Sequence, residues 1–259
     1  MEKFGKSQPV KRVEDHRFLT GAGRYVDDIA PAGALYGVFF RAPVAHGVIT
    51  ELDVDEARAA DGVHLVLTCA DLEAAGMNIA LPHTVVDNRD GSKGATPLRP
   101  MLAKDRVRYV GEPVALVVAE SLQQARDAVE MILFEADDLP AKMDVAPGGE
   151  PLHAEAPDNR AFDWHMGDEA KVETAFAKAA HRVRLEVGDN RIIVNSMEPR
   201  GCYAEWTEGR LHVALGGQGV WAHKGFLTKA FGLPEDAVRV TNPDVGGGFG
   251  MKAMTYPEY

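Results

Sequence analysis

Short bursts of alternating apolar and polar positions open the chain. The runs ALYGVFFRAP (34–43), GVITELDV (47–54) and GVHLVLTC (62–69) each predict a strand, the first two joined through Ala45–His46. DEARAAD between the second and third predicts a short helix. Residues 82–100 are polar and rich in Gly and Pro, so they predict a long loop. VRYVGEPVALVVAES (107–121) then gives two strand-like runs broken at Gly111–Pro113. A helix follows from Ser121, with Gln124 completing an S-x-x-Q capping box and Leu122, Ala125, Val129 and Ile132 on one face. LFEADDLP returns as a strand.

Residues 143–160 carry three prolines, two adjacent glycines and no periodicity, which predicts a linker. Beyond it Asp168 caps a helix whose stripe is Val172, Ala175, Phe176 and Ala179. RVRLEV (182–187) alternates as a strand, and CYAEWTEGRLHVAL predicts a hairpin turning at Glu208–Gly209. GVWAHKGFLTKAFG predicts a helix with Val220, Trp221, Leu227 and Phe231 inward, stopped by Gly232 with Pro234 after it. AVRVTNPDV is a last strand. Strands and helices interleave without the spacing of a doubly wound sheet, so the fold class is α+β.

Composition narrows the functions. With 39 acidic against 28 basic residues the net charge is −11, and no basic block interrupts it, which argues against a nucleic-acid partner. No apolar run approaches the ~18 residues of a membrane span, and the start lacks a signal-peptide core, so a cytoplasmic location is expected. Cys69 and Cys202 form no paired-ligand spacing, so no zinc or iron–sulfur site is expected from this chain's own residues. His46 and His223 are the histidines that invite suspicion, but a lone histidine ordinarily packs.

The chemistry concentrates in two glycine-bearing loops, LGGQGVW (215–221) before the last helix and VGGGFGMK (245–252) after the last strand. The first precedes a helix N-terminus, and the second has the density of a backbone nest; both suit an anion or a polarised oxygen. Separately each reads as a turn. Together, one helix and one strand apart, they can form two walls of a ligand site. Gly248, Gly250 and Ala253 satisfy G-x-G-x-x-A, which keeps a nucleotide-binding oxidoreductase open as an alternative, as is a non-catalytic binding or assembly module. A P-loop is excluded, because Lys252 is followed by Ala253. Gln218 is the side chain of the first loop that can both donate and accept, and Glu198 beside Arg200 reads as an ion pair.

In order and spacing these loops resemble the molybdenum hydroxylases, the large subunits of xanthine dehydrogenases, aldehyde oxidases and carbon monoxide dehydrogenases. The resemblance extends through GAGRYVDDI, RAPVAHGVITELDVDEA, YVGEPVALVVAES and NSMEPRGCYAEW, essentially the whole chain. It implies an α+β hammerhead domain over 1–142, a linker at 143–160, and the first part of the molybdopterin-binding domain over 161–259. It implies that Gln218 hydrogen-bonds an oxygen ligand of molybdenum, and that Gly217, Gly219, Gly248, Phe249 and Gly250 lie against the cofactor. The Phe249 and Gly250 N–H groups would face it.

The implied cofactor is molybdopterin, as the cytosine dinucleotide, carrying molybdenum. Iron–sulfur clusters and FAD would sit on partner subunits, beside the C-terminal remainder of the molybdopterin subunit. The implied reaction oxidises an aldehyde or N-heterocycle with water as oxygen source. Its general base, a glutamate of a Gly-Glu pair, falls outside this chain; the GEP at 111–113 is not that motif. The chain is thus expected to be an N-terminal fragment or a split subunit, inactive alone. Ala253 stands where purine-oxidising members carry a glutamate, and Met251 where a second glycine is usual.

Overall fold

The computed structural model describes residues 9–190 and 192–259. In chain order its first elements are α1 (Asp15–Leu19), β1 (Tyr36–Arg41), β2 (Gly47–Asp53), α2 (Asp55–Ala59), β3 (Val63–Thr68), α3 (Cys69–Ala74) and β4 (Arg106–Val107). Then come β5 (Pro113–Ala119), α4 (Leu122–Glu130), β6 (Leu133–Asp138), α5 (Glu169–Lys178), β7 (Cys202–Thr207), β8 (Arg210–Leu215), α6 (Trp221–Phe231) and β9 (Val238–Thr241). Among the described residues, packing groups these elements into two compact units, one within 35–194 and one that joins 9–34 to 195–259.

The larger unit holds two antiparallel three-stranded sheets, ordered β1-β5-β3 and β4-β2-β6. β5 is the central strand of the first sheet. Its unbroken apolar run PVALVVA is the signature of burial on both faces. Val117, Ala115 and Ala119 point into one cluster with Val54, Val66 and α4, while Val114 joins Ala42, Ala103 and Val107 in another. Helix α4 reaches the sheet through Ala125 and Ala128, with Val129 partly buried, while Ile132, expected on the same helical stripe, lies past the C-cap Met131 and joins the cluster from there. Leu122, expected in this stripe, stays 40% exposed because the core cluster does not extend to the first turn. The Ser121 hydroxyl accepts the Gln124 N–H at 3.2 Å as a cap should, but donates to the Gln124 side-chain oxygen at 2.6 Å.

Two expectations in this unit need correction. Asp168 does cap α5, accepting the Lys171 N–H at 3.0 Å, yet no residue of α5 is buried and its Val172–Phe176 stripe faces outward. Residues 182–187 form no strand, and Val183, Leu185 and Val187 are exposed. Alternation makes a strand only where another strand supplies hydrogen bonds, and among the described residues none does.

The second unit is built on the sheet β7-β8-β9. β7 and β8 form the expected hairpin, from Cys202 opposite Leu215 to Thr207 opposite Arg210. Its turn places Glu208 at φ 50° and Gly209 at φ 75°, the two positive values of the type I′ turn that matches strand twist. β8 pairs with β9 in parallel, and α6 makes the crossover. Val213, Leu215, Val238, Val240 and Leu227 form the core between them.

The buried face of α6 is His223, Leu227 and Ala230, with Val220 packed partly against the cluster. Trp221 and Phe231, expected inward, are 79% and 49% exposed. A histidine takes the inward position because its polar edge is satisfied there. Nδ1 lies 3.3 Å from the Thr255 hydroxyl, and Tyr259 meets the ring edge-on at 5.2 Å. Gly232, at φ 63°, ends the helix as its sequence predicts.

Candidate functional site

Parallel neighbours β8 and β9 deliver both glycine loops from their carboxyl ends, where α/β sheets gather ligands. The loops are tied to each other through Gln218. Its main-chain N–H donates to Lys252 O at 3.0 Å, and its Oε1 accepts the N–H groups of Gly250 at 2.8 Å and Lys252 at 3.2 Å. Two donors on one atom identify the oxygen end of the amide. The Nε2 end makes no hydrogen bond among the described residues. Asn242 adds a second tie, donating from Nδ2 to Gly217 O at 2.8 Å.

Below the loops lies a carboxylate that joins three segments. Glu198 Oε2 accepts the Gly246 N–H at 2.8 Å and the Lys252 ammonium at 2.7 Å, while Oε1 accepts the Val26 N–H at 3.4 Å. Lys252 is wholly buried. The ion pair expected for Glu198 therefore exists, but with Lys252 and not Arg200. Arg200 stacks on the Tyr256 ring at 3.7 Å and faces Glu258. Beside this hub Asp244 accepts the Arg17 guanidinium at 2.7 Å and the Arg24 N–H at 2.7 Å. The N-terminal segment is thus laced to the second loop.

Much of the glycine density makes room for these side chains. A Cβ on Gly246 would fall 2.4 Å from Glu198 Cβ, one on Gly216 2.9 Å from Glu198 Oε2, and one on Gly248 2.6 Å from Gln218 Cγ. What remains for a ligand is a set of donors. Among the described residues the N–H groups of Gly219, Gly247, Gly248 and Phe249 have no hydrogen-bond partner, and α6 has no side-chain cap at Val220. Gly247, Phe249 and Gly250 all have positive φ, the left-handed conformation that recurs in backbone nests. Phe249 does this at φ 52° with its ring 77% exposed. A bulky residue in that region is strained, a cost that marks functional loops.

Of the residues singled out in the sequence, Gly217 and Gly250 spend their N–H groups internally, on Leu215 O and Gln218 Oε1. Gln218, Gly219, Gly248 and Phe249 keep a donor free. The dinucleotide alternative requires a helix after the glycines; here a single 3-10 turn, Met251–Ala253, follows. His46 is buried with Nδ1 2.9 Å from Pro140 O, a packing role. Burial, and secondarily Glu258, pushes the Cys202 thiol up to about 11, so it is not a nucleophile. Among the described residues no cluster of three or more His, Cys, Asp or Glu could hold a metal ion. The free N–H groups and the amide nitrogen are donors only, and suit an anionic ligand. The Glu198–Lys252 and Asp244–Arg17 contacts escaped sequence reading because their partners lie far apart in the chain, with no local pattern to pair them.

Comparison with known proteins gives this geometry a family. Residues 20–140 match the aldehyde oxidase and xanthine dehydrogenase a/b hammerhead domain, and residues 152–259 the molybdopterin cofactor-binding domain. The nicotine 6-hydroxylase large subunit of Paenarthrobacter nicotinovorans is 41% identical over 98% of this chain and 31% of its own length. The carbon monoxide dehydrogenase large chain of Hydrogenophaga pseudoflava is 34% identical over 95% and 32%. The crystal structure of quinoline 2-oxidoreductase from Pseudomonas putida 86 superposes with a TM-score of 0.76 at 36% identity, over 96% of this chain and 31% of that one. The chain spans about a third of the length of the relatives it matches. It belongs to the molybdenum hydroxylase family, with that family's hammerhead domain followed by molybdopterin-binding sequence.

Proposed function

We propose that this chain contributes one wall of the molybdopterin site in a molybdenum-dependent hydroxylase that oxidises a ring carbon of an N-heterocycle, with an aldehyde as the other substrate class. The observation that carries the reading is the Gln218 amide, held by its oxygen with its nitrogen free, beside unpaired N–H groups at Gly219, Gly247, Gly248 and Phe249. Two of the relatives described above act, by name, on nicotine and quinoline, both N-heterocycles.

When bound, the molybdenum cofactor supplies oxygen insertion and takes up two electrons. The residues of this chain hold and orient it. The free N–H groups and the uncapped start of α6 would offset its negative charge, and Gln218 Nε2 would donate to one of its oxygens. Phe249 would lie against it with its exposed ring. In this reading the cofactor is the cytosine dinucleotide form. Iron–sulfur and FAD subunits carry electrons away, the general base comes from polypeptide outside this chain, and the complex works in the cytoplasm. Residues 1–142 serve as the hammerhead domain, 143–160 as linker and 161–259 as the start of the cofactor domain. This chain alone is inactive. Among the described residues no helix is long and apolar enough to cross a membrane.

Production of the chain with its partner subunits tests this. The complex should contain molybdenum and a cytosine nucleotide and should move ¹⁸O from labelled water into a hydroxylated N-heterocycle. A purified, folded complex free of molybdenum, or product oxygen that does not come from water, overturns the reading.

A further inference from the structure

We propose that Glu198 and Lys252 are positioning residues for Gln218: their buried ion pair holds the amide with its nitrogen outward, before any cofactor arrives. What the amide then meets rests on the cofactor-site reading above; the positioning itself rests on the contacts of this chain.

A buried ammonium requires a compensating charge, and Glu198 Oε2 at 2.7 Å supplies it to Lys252. The same carboxylate is fixed on its other sides by the N–H groups of Gly246 and Val26. Its own main chain is pinned too, through Glu198 N–H to Gly246 O at 3.1 Å and Ser196 Oγ to Glu198 O at 2.6 Å. Lys252 is therefore anchored at its side-chain end. Its main chain holds Gln218 twice, donating to Oε1 and accepting the Gln218 N–H.

Rotation of the amide would strand the Gly250 and Lys252 N–H groups opposite an NH2 group, donor against donor. Gln218 is in this way restricted to a single role, that of donor. A neutral or shorter residue at 252 loses the anchor and lets the second loop slide past the first. The steric fit points the same way. Gly216, Gly246 and Gly248 lack side chains where those of Glu198 and Gln218 lie, so the loops are shaped around this relay.

The test uses the complete complex, cofactor-free and loaded, with Lys252→Met, Glu198→Gln, the double variant and Gln218→Ala. In cofactor-free protein Lys252→Met should raise hydrogen exchange at amides 250 and 252 by ~10-fold or more relative to those of β8, and Gln218→Ala should do the same. Adding Gln218→Ala to Lys252→Met should raise it by less than ~2-fold further, since coupled sites are not additive.

The double variant Lys252→Met with Glu198→Gln keeps the Gly246 hydrogen bond and leaves no unpaired charge. Its melting temperature and β8 and β9 protection should recover while amides 250 and 252 remain fast. Molybdenum per loaded complex should fall alike in Lys252→Met and Gln218→Ala. Protected amides 250 and 252 in both Lys252→Met and the double variant overturn the proposal, as does their recovery together with the rest of the sheet. Fast local exchange with molybdenum fully retained would leave the positioning pair standing and remove the cofactor reading.

Discussion

Gly246→Ala probes the packing beneath the second loop. The added methyl would sit 2.4 Å from Glu198 Cβ, 3.2 Å from its N and 3.4 Å from its Cα. None of these atoms moves with a side-chain rotamer, so the two backbones must part by about 1 Å to restore ordinary contact. That parting stretches a reciprocal pair, Gly246 N–H to Glu198 Oε2 at 2.8 Å and Glu198 N–H to Gly246 O at 3.1 Å. Overpacking of this kind costs about 1–3 kcal/mol. Weakening two hydrogen bonds, one of them to a charged group, adds about 1–2 kcal/mol. The terms overlap, so a net loss of about 2–4 kcal/mol is expected, or a ~30- to 1000-fold rise in exchange for amides that open with this unit.

Gly225→Ala supplies the contrast. It lies inside α6, a Cβ there meets nothing within 4 Å, and its φ is ordinary. It should gain about 0.5–1 kcal/mol from helix propensity alone. Urea unfolding with peptide-resolved hydrogen exchange reads both. A loss under ~0.5 kcal/mol at 246, or an equal loss at 225, would refute the packing account.

Other outcomes follow from single contacts. Gln218→Ala in the complete enzyme should cut turnover on the order of 10²-fold while destabilising the fold by only ~1 kcal/mol; full activity removes Gln218 from the site. Phe249→Gly should raise stability by up to ~1 kcal/mol by relieving a positive φ; a lower melting temperature would show that the ring, not the backbone, matters there. Asp244→Ala should cost about 1.5–3 kcal/mol and speed proteolysis within residues 9–34; an unchanged cleavage rate would mean that its contacts with Arg17 and Arg24 do not hold the segment.

Burial lowers the His223 pKa, only partly offset by a hydrogen bond to the Lys252 main chain. Its stabilising contribution is complete above the ordinary value of 6.5 and is lost as pH falls below it toward the depressed folded value. Denaturation across that window should show the loss, and His223→Leu should reduce it, leaving the like-signed contribution of His153, whose pKa burial also lowers; an unchanged loss in His223→Leu would refute the assignment.

Sequence reading located what depends on neighbours in the chain. Ser121, Asp168 and Gly232 act where their residue types predict, and Glu208–Gly209 turns the hairpin. It missed what depends on distant partners. A hydrophobic template for α6 favours Trp221 over His223, yet His223 goes inward because Thr255 and Tyr259 satisfy it. The same template cannot know that RVRLEV has no strand beside it. Arg200 was the nearest cation to Glu198 in sequence, but the ammonium that reaches its carboxylate comes from 54 positions away. In the two loops, the glycine density and Gln218 were legible as a pattern, whereas the division of labour among the glycines was not.

That division changes what the loops mean. A dense glycine run is ordinarily read as room for a ligand to approach backbone. Here Gly216, Gly246 and Gly248 also make room for the chain's own carboxylate and amide, so part of the pattern encodes self-recognition. The two uses face different consequences of substitution. A methyl at Gly246 strikes Glu198 whether or not a ligand is present, and its cost belongs to folding. A methyl at Gly219, where no atom lies within 4 Å but φ is 121°, costs backbone strain and sits beside a free N–H. Cofactor affinity and fold stability should therefore separate along these loops, and the Lys252–Gln218 link is where they meet. Glu198 and Lys252 touch the underside, and in the proposed site Gln218 would carry the geometry to the ligand. A donor held by two main-chain N–H groups need not reorganise when charge appears before it, and that prior order is what an electrostatic site exploits.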